Sequence, residues 1–160
     1  MGQATTQPET PETKDIEGVK VIALEQFPDH RGTVQLMLRA TDPHFESFGE
    51  IYFSSIYNGV VKAWKNHKRA TANHVCVFGR VKFVLYDARD GSPTKGYCME
   101  VFLGPEDYSL LVIPPGIWNG FQGLGDPLSI VASCPTLPYD PNEFDRVEPA
   151  DPRIPYEWRH

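Results

Sequence analysis

A chain of 160 residues is long enough to bury one core and is most simply a single domain. Its net charge of −6 leaves no broad basic surface, which excludes a general nucleic-acid binder while leaving room for one local basic pocket. No apolar run approaches about 18 residues, so no membrane-spanning helix is expected.

The opening, MGQATTQPETPETKD, is polar and rich in Pro, Thr and Glu. It lacks the apolar core of a signal peptide, and Met1-Gly2 matches a myristoylation site only loosely. Residues 1–16 are expected to form a disordered tail and 17–160 one domain. Fifteen prolines and thirteen glycines favour short elements joined by turns. VKVIAL (Val19 to Leu24) predicts a strand, FPDHRGT a turn, TVQLMLRA (Thr33 to Ala40) a second strand, and TDPHFESFG a loop. EIYFSSIY alternates with a period of two, which sets Glu50, Tyr52 and Ser54 on one face and Ile51 and Phe53 on the other. Asn58-Gly59 is a hairpin signal, and VVKAW follows it. HVCVF, VKFVLYD, YCMEVFL, SLLVIP and LSIVAS read as further strands. The best helical candidate is short, around Asn142 to Arg146. Many short strands with Gly/Pro turns predict an all-β antiparallel sandwich or barrel. The last stretch, VEPADPRIPYEW, reads as extended and is expected to pack across the outside or the mouth of the barrel. Cys76, Cys98 and Cys134 lie in or beside apolar strands with no C-x-x-C spacing. They read as buried free thiols in a reducing compartment, and hence a cytoplasmic protein.

Directly after the hairpin signal, GVVKAWKNHK (Gly59 to Lys68) places four ionisable side chains in ten residues. Lys65 and His67 are two apart and share one strand face. His74, at the start of the next strand, reads as structural.

Six segments in order resemble a known family: FPDHRG, GVVKAW, the run from Gly79 to Gly96, IPPGIWNGF, PTLPYDP and DPRIPYEW. The chain is similar to the dTDP-4-dehydrorhamnose 3,5-epimerases, sugar-nucleotide enzymes with a cupin jelly-roll (double-stranded β-helix) barrel. The resemblance implies that fold, and a homodimer whose barrels exchange an N-terminal strand, with Arg31 helping to bind the nucleotide. It also exposes departures. The family reads R-G-L-H where this chain has Lys62-Ala63-Trp64-Lys65, so the family's catalytic histidine falls on Lys65 and its phosphate-binding arginine on Lys62. The aspartate that orients that histidine matches Asp151. The family's tyrosine acid falls at or near Ser133, its assisting lysine at or near Ala72, and a buried aspartate at or near Phe83. The histidine of P-P-G-x-x-H-G-F is Asn119. Asp87 and Arg89 match a fold-supporting pair.

Epimerisation beside a ketone needs a base, a donor for the enolate oxygen and an acid on the opposite face. Lysine serves as a base only with a strongly lowered pKa, so Lys65 suits an enolate or a phosphate better, and His67 is the candidate replacement base. Tyr52, sharing a face with Glu50 and Ser54, is the candidate acid. Trp64 and Trp118 are candidates for a flat-ligand platform or for the core. Metal-binding cupins use H-x-H, a carboxylate and a distant histidine. Here those positions read Lys65-Asn66-His67, no Glu in KRATAN, and Asn119, so neither a metal nor another cofactor is expected. The first reading is therefore an isomerase of a 4-keto-deoxysugar nucleotide, with Lys65, His67, Asp151 and Tyr52 as catalytic candidates and Arg31, Glu50, Lys62, Trp64, Trp118, Asn119 and Ser133 as substrate contacts. The second is a cupin with a tryptophan-lined pocket repurposed for another small molecule. The third is a non-catalytic binding homologue. The first implies a small-molecule substrate and a homodimer, with no nucleic acid and no membrane.

Overall fold

The computed structural model describes residues 13–159, and every regular element among them is a β-strand. In chain order these are β1 (Lys20–Ala23), β2 (Gln26–Asp29), β3 (Gly32–Gln35), β4 (Tyr52–Tyr57), β5 (Val61–His67), β6 (Ala72–Phe78), β7 (Val81–Asp87), β8 (Cys98–Leu103), β9 (Ser109–Ile113), β10 (Ile117–Gly123), β11 (Leu128–Ser133) and β12 (Phe144–Arg146). One five-stranded sheet has the order β1-β9-β6-β11-β4, the other β12-β5-β10-β7-β8, and β2-β3 form a separate two-stranded ribbon. The strand ladders are antiparallel, and most neighbours are distant in sequence, as a jelly roll of the cupin type requires.

Apolar residues from both sheets fill one end of the barrel, among them Ile56, Cys76, Val81, Leu85, Leu111, Ile113 and Val131. Two smaller clusters seal the outer faces. Ile154 and Tyr156 of the C-terminal segment pack on Trp64, Val84 and Cys98, so that segment crosses the outside of the barrel. Met37 and Leu38 pack on Val75, Leu110, Val112 and Ala132. This explains why the expected strand from Thr33 to Ala40 stops at Gln35: its second half covers a sheet instead of extending one.

Two other expectations change. Asn142 to Arg146 is not helical. The Asp140 carboxylate accepts from the Asn142 backbone N–H at 2.9 Å and turns the chain, and Phe144–Arg146 then pairs along the edge of β5. The ordered chain also reaches further back than residue 17. Thr13 bridges Cys98, the Lys14 N–H donates to the Cys98 carbonyl at 2.9 Å, and Ile16 is buried in the core. Residues 1–12, with the rest of the expected tail and the Met1-Gly2 match, lie outside the described residues.

Asp87 is wholly buried at the end of β7 and accepts hydrogen bonds from Arg89, Ser92 and Thr94. Burial alone would raise its pKa, but these donors hold the carboxyl far below the ordinary carboxylate range. The three cysteines are buried and free.

Gly120 of β10 lies against β5, where an added Cβ would collide with the Ala63 side chain and sit 2.9 Å from the Ala63 Cα. Gly120→Ala is expected to cost roughly 1–3 kcal/mol by overpacking this strand pair. Thermal melting checks it, and an unshifted midpoint would mean that the two strands separate there without loss.

Candidate active site

A cavity of about 370 Å³ opens between the sheets at the end that the core leaves unfilled. Phe83 forms its floor, stacked on Phe121 and on His74 with ring centroids 4.9 Å apart in each case. One wall carries Lys62, Lys65 and His67 of β5 with Asn119 of β10. The other carries Tyr52 and Ser54 of β4, His74 of β6 and Ser133 of β11.

Simple alternation would put Lys62 and Lys65 on opposite faces of β5. The register prevents this. Asn119 faces Lys65 and Phe121 faces Lys62, so between these pairs Ala63 and Trp64 of β5 oppose the single Gly120 of β10. The extra residue is a β-bulge, and it brings Lys62, Lys65 and His67 to the same face. Lys62 Nζ then donates to Ser54 Oγ at 3.0 Å and to the Ser55 carbonyl at 2.6 Å, pinning it to the far wall. The Asn119 side-chain amide donates to the Lys65 carbonyl at 3.1 Å, which stiffens the bulged wall.

His67 Nδ1 lies 2.6 Å from the Glu143 carboxylate. Glu143 is buried at 4 % exposure and also accepts from the backbone N–H groups of Arg69 at 2.8 Å and Ala70 at 2.7 Å. Burial would push the Glu143 pKa up, but the bonds from His67, Ala70 and Arg69 outweigh it and take it down to about 2. The carboxylate is therefore ionised, Nδ1–H is the donor, and Nε2 is left as a free base. Burial lowers the His67 pKa, the Glu143 bond opposes that, and Lys65 adds to the lowering, so the ring is neutral at neutral pH.

Lys65 Nζ sits 4.2 Å from the Phe144 ring centroid, and the Arg146 guanidinium lies 5.1 Å from the same ring. Burial lowers the Lys65 pKa and the neighbouring Arg146 charge lowers it further, with Glu143 and Glu50 opposing. Across the cavity, Tyr52 pairs with Ser133 in the β4–β11 register. Burial raises the Tyr52 pKa, with Ser133 offsetting part of the rise, so the phenol stays protonated. His74 Nδ1 lies 2.8 Å from Ser133 Oγ.

Of the residues singled out from the sequence, Tyr52, Lys62, Lys65, His67, Asn119 and Ser133 meet around this cavity, and Glu50 lines a cleft that adjoins it at Tyr52, Lys65 and His67. Four behave differently. Asp151 does not line the cavity; its carboxylate takes two hydrogen bonds from the Arg153 guanidinium, at 2.9 and 2.8 Å, and the carboxylate on the cavity histidine is Glu143. Trp64 meets the wall at the bulge, but its indole donates to the Pro149 carbonyl at 3.1 Å and packs on Tyr156 and Trp158. Trp118 packs against that same outer cluster. Neither indole forms a platform, because both project from the face of the sheet opposite the barrel interior. Arg31 is exposed on the β2–β3 ribbon and paired with Asp29. Sequence reasoning missed Glu143 and Arg146, and took His74 as structural. Glu143 lies 76 residues from His67, and no local spacing connects them. Among the described residues, no group of three or more His, Cys, Asp or Glu could hold a metal ion.

The model of the dTDP-4-dehydrorhamnose 3,5-epimerase family matches residues 13–160. The chain belongs to that family. It is 36 % identical over 145 residues to a probable low-salt glycan biosynthesis epimerase, Agl13, of Haloferax volcanii, covering 89 % of this chain and 90 % of the relative. It is 34 % identical to the spore coat polysaccharide biosynthesis protein SpsL of Bacillus subtilis, covering 89 % and 96 %. Among solved structures, a dTDP sugar isomerase from Desulfovibrio desulfuricans G20 aligns with a TM-score of 0.87 at 42 % identity, over 89 % of this chain and 92 % of the other. The Legionella pneumophila epimerase in complex with dTDP-4-keto-L-rhamnose aligns with a TM-score of 0.77 at 25 % identity, over 93 % and 82 %. Membership in the epimerase family makes the altered cavity wall informative: a histidine–carboxylate pair is present in this family member, built from His67 and Glu143.

His74 and Glu143 dominate the acid sensitivity of this site, and the lowered pKa of His67 adds to its upper part. His74 is held at about 3, against an ordinary 6.5, because burial and the nearby His67 and Lys65 disfavour its charged form. Below pH 6.5 the unfolded chain takes up a proton that folded His74 refuses, so stability is full above 6.5 and falls as pH drops toward 3. Glu143 adds a second loss between its ordinary 4.5 and about 2. Urea unfolding across this range should show the wild type weakening already near pH 6, and His74→Gln should flatten that upper limb; equal slopes in both proteins would exclude His74 as its source.

Proposed function

We propose that the chain is an isomerase that moves a proton at a carbon beside the ketone of a 4-keto-deoxysugar nucleotide. The observation that carries this reading is the pairing of His67, backed by Glu143, with Tyr52 on the opposite wall of one cavity. A base on one face and a proton source on the other are what inversion of a carbon beside a ketone requires. Lys62, Lys65 and Arg146 around the same cavity suit an anionic substrate in a protein of net charge −6. The complex of the Legionella relative with dTDP-4-keto-L-rhamnose supports a nucleotide sugar as that anion.

In this mechanism His67 Nε2 takes the proton from carbon, and Glu143 holds the imidazolium that forms. The ammonium of Lys65 favours the negative charge that develops on the substrate. Tyr52 returns a proton from the other side, which inverts the carbon, and solvent then takes the proton from His67 and restores that of Tyr52. The cavity carries no tryptophan platform of the kind a repurposed apolar cupin would need, and its intact base argues against a purely binding homologue.

The working unit in this proposal is a homodimer. β4 is an edge strand on which Phe53 and Tyr57 are exposed, as is Ile51 just before it, and the β2–β3 ribbon, with Arg31 at its turn, joins neither sheet by a strand ladder. A second copy covering this face would bury the patch and carry Arg31 toward a neighbouring barrel as a nucleotide contact. Three free thiols fit a reducing, cytoplasmic setting.

Incubation with dTDP-4-keto-6-deoxyglucose in D₂O should give enzyme-dependent deuterium at C3, C5 or both, read by mass spectrometry and NMR. His67→Ala should reduce exchange by about 10²–10⁴-fold, the usual worth of a positioned base. Glu143→Gln should lower the rate with less effect on dTDP binding. No exchange above buffer would reject the isomerase. Separately, Phe53→Glu should shift a dimer toward monomer in sedimentation velocity, and a wild type that sediments as a monomer would reject the homodimer.

A further inference from the structure

One buried titratable group on the cavity wall has no task in this mechanism. His74 lies on β6, in the sheet opposite His67, and its ring forms part of the cavity wall. Two contacts fix it: Nδ1 lies 2.8 Å from Ser133 Oγ, and the ring stacks on Phe83 at 4.9 Å and 32°. Of the ion pairs among the described residues, His67 and His44 have carboxylate partners, and His74 has none. The ionisable groups that act on it are His67 and Lys65, both disfavouring its protonation, and burial dominates. His74 is therefore a neutral imidazole at any working pH, with one nitrogen engaged by Ser133. No protein group among the described residues bonds Nε2, and Nε2 is not among the sealed polar atoms that lack a partner, so it opens on the cavity.

The Ser133–His74 bond could run in either direction, and the neighbourhood selects one. Ser133 is buried, and its single hydrogen needs an acceptor. Among the described residues, the side-chain group within hydrogen-bond distance of Ser133 Oγ is His74 Nδ1, at 2.8 Å. Ser133 then donates to His74 Nδ1, which leaves the imidazole proton on Nε2, facing the cavity.

We propose that His74 is a catalytic residue: a neutral hydrogen-bond donor, through Nε2–H, to the substrate oxygen that becomes negative when the carbon beside the ketone loses its proton, with Ser133 the positioning residue that selects this tautomer. The inference rests on the isomerase reading above. The step balances within the site. His67 takes the proton from carbon, the C–H electron pair moves into the carbon–carbon bond, the ketone oxygen takes the charge and the His74 hydrogen bond, and reprotonation of carbon reverses the flow. A preorganised neutral donor stabilises that charge without surrendering its proton. The two histidines in one cavity thus divide the work by environment: the one with a carboxylate partner is the base, and the one without is the donor.

The test has two arms on the full chain. Long-range ¹H–¹⁵N spectra of histidine-labelled protein report the tautomer with no substrate present. His74 should show Nε2–H, unchanged from acid to alkaline pH across neutrality. A charged ring at neutral pH, or an Nδ1–H tautomer, would overturn the donor role. Deuterium exchange from dTDP-4-keto-6-deoxyglucose is then measured for the wild type, His74→Leu, His74→Gln and Ser133→Ala, with dTDP binding as the control for folding. His74→Leu should lose about 10²–10³-fold in kcat, the worth of one such donor. His74→Gln, which keeps an N–H, should recover much of that loss, and Ser133→Ala should fall between the two. Wild-type exchange in His74→Leu would overturn the inference and leave the isomerase standing. No exchange in the wild type would overturn the isomerase itself, and the donor role with it.

Discussion

The Glu143 carboxylate holds the site together. It accepts from the His67 ring and from two backbone N–H groups just beyond β5, so one buried side chain ties the loop before β12 to the end of the cavity wall. Docking that loop sets β12 along β5, with Arg146 opposite Lys65 and Phe144 opposite His67. The base, the aromatic ring under Lys65 and the rim guanidinium therefore arrive by one set of contacts. A buried carboxylate is costly unless fully bonded, and here three donors meet that need. The arrangement also explains why a carboxylate in an acidic protein helps to build a basic cavity: its charge is consumed by fixed donors, while the cations around it face the open space.

The bulge in β5 has a comparable role in the opposite sense. It breaks the regular alternation at the point where the family's motif has diverged, and it turns Lys62 to the same side as Lys65 and His67. The bulge also sends the Trp64 indole outward, where it anchors the C-terminal segment through Pro149, Tyr156 and Trp158. Cavity lining and C-terminal docking are thus consequences of the same local irregularity. The jelly roll tolerates the change because its core lies at the other end of the barrel, in residues the motif does not include.

Much of the fold could be read from the chain. Alternation in EIYFSSIY put Tyr52 and Ser54 on the cavity face and Ile51 and Phe53 outside, because in a half-buried strand side-chain polarity reports orientation. The spacing of Lys65 and His67 placed them together for the same reason. Strand ends were less legible. Thr33 to Ala40 carries a strand composition throughout, yet its second half lies over a sheet, since apolar residues satisfy either fate. β10 and β12 carry weak strand signals and exist because neighbouring edges accept them.

The sequence by itself determined the class of fold, the family, and which short segments face the barrel interior, because those properties follow from periodicity and from motifs a few residues long. Tertiary structure decided which carboxylate serves the histidine, that Lys62 shares its face, and that His74 is buried in the cavity wall beside Ser133. Asp151 carried the family's motif, but its carboxylate pairs with Arg153, while Glu143 stands 76 residues from the histidine it holds. Partners of that kind are chosen by strand register and loop docking, and a buried group's charge by the solvent it has lost. Neither is a property of a residue's neighbours in the chain.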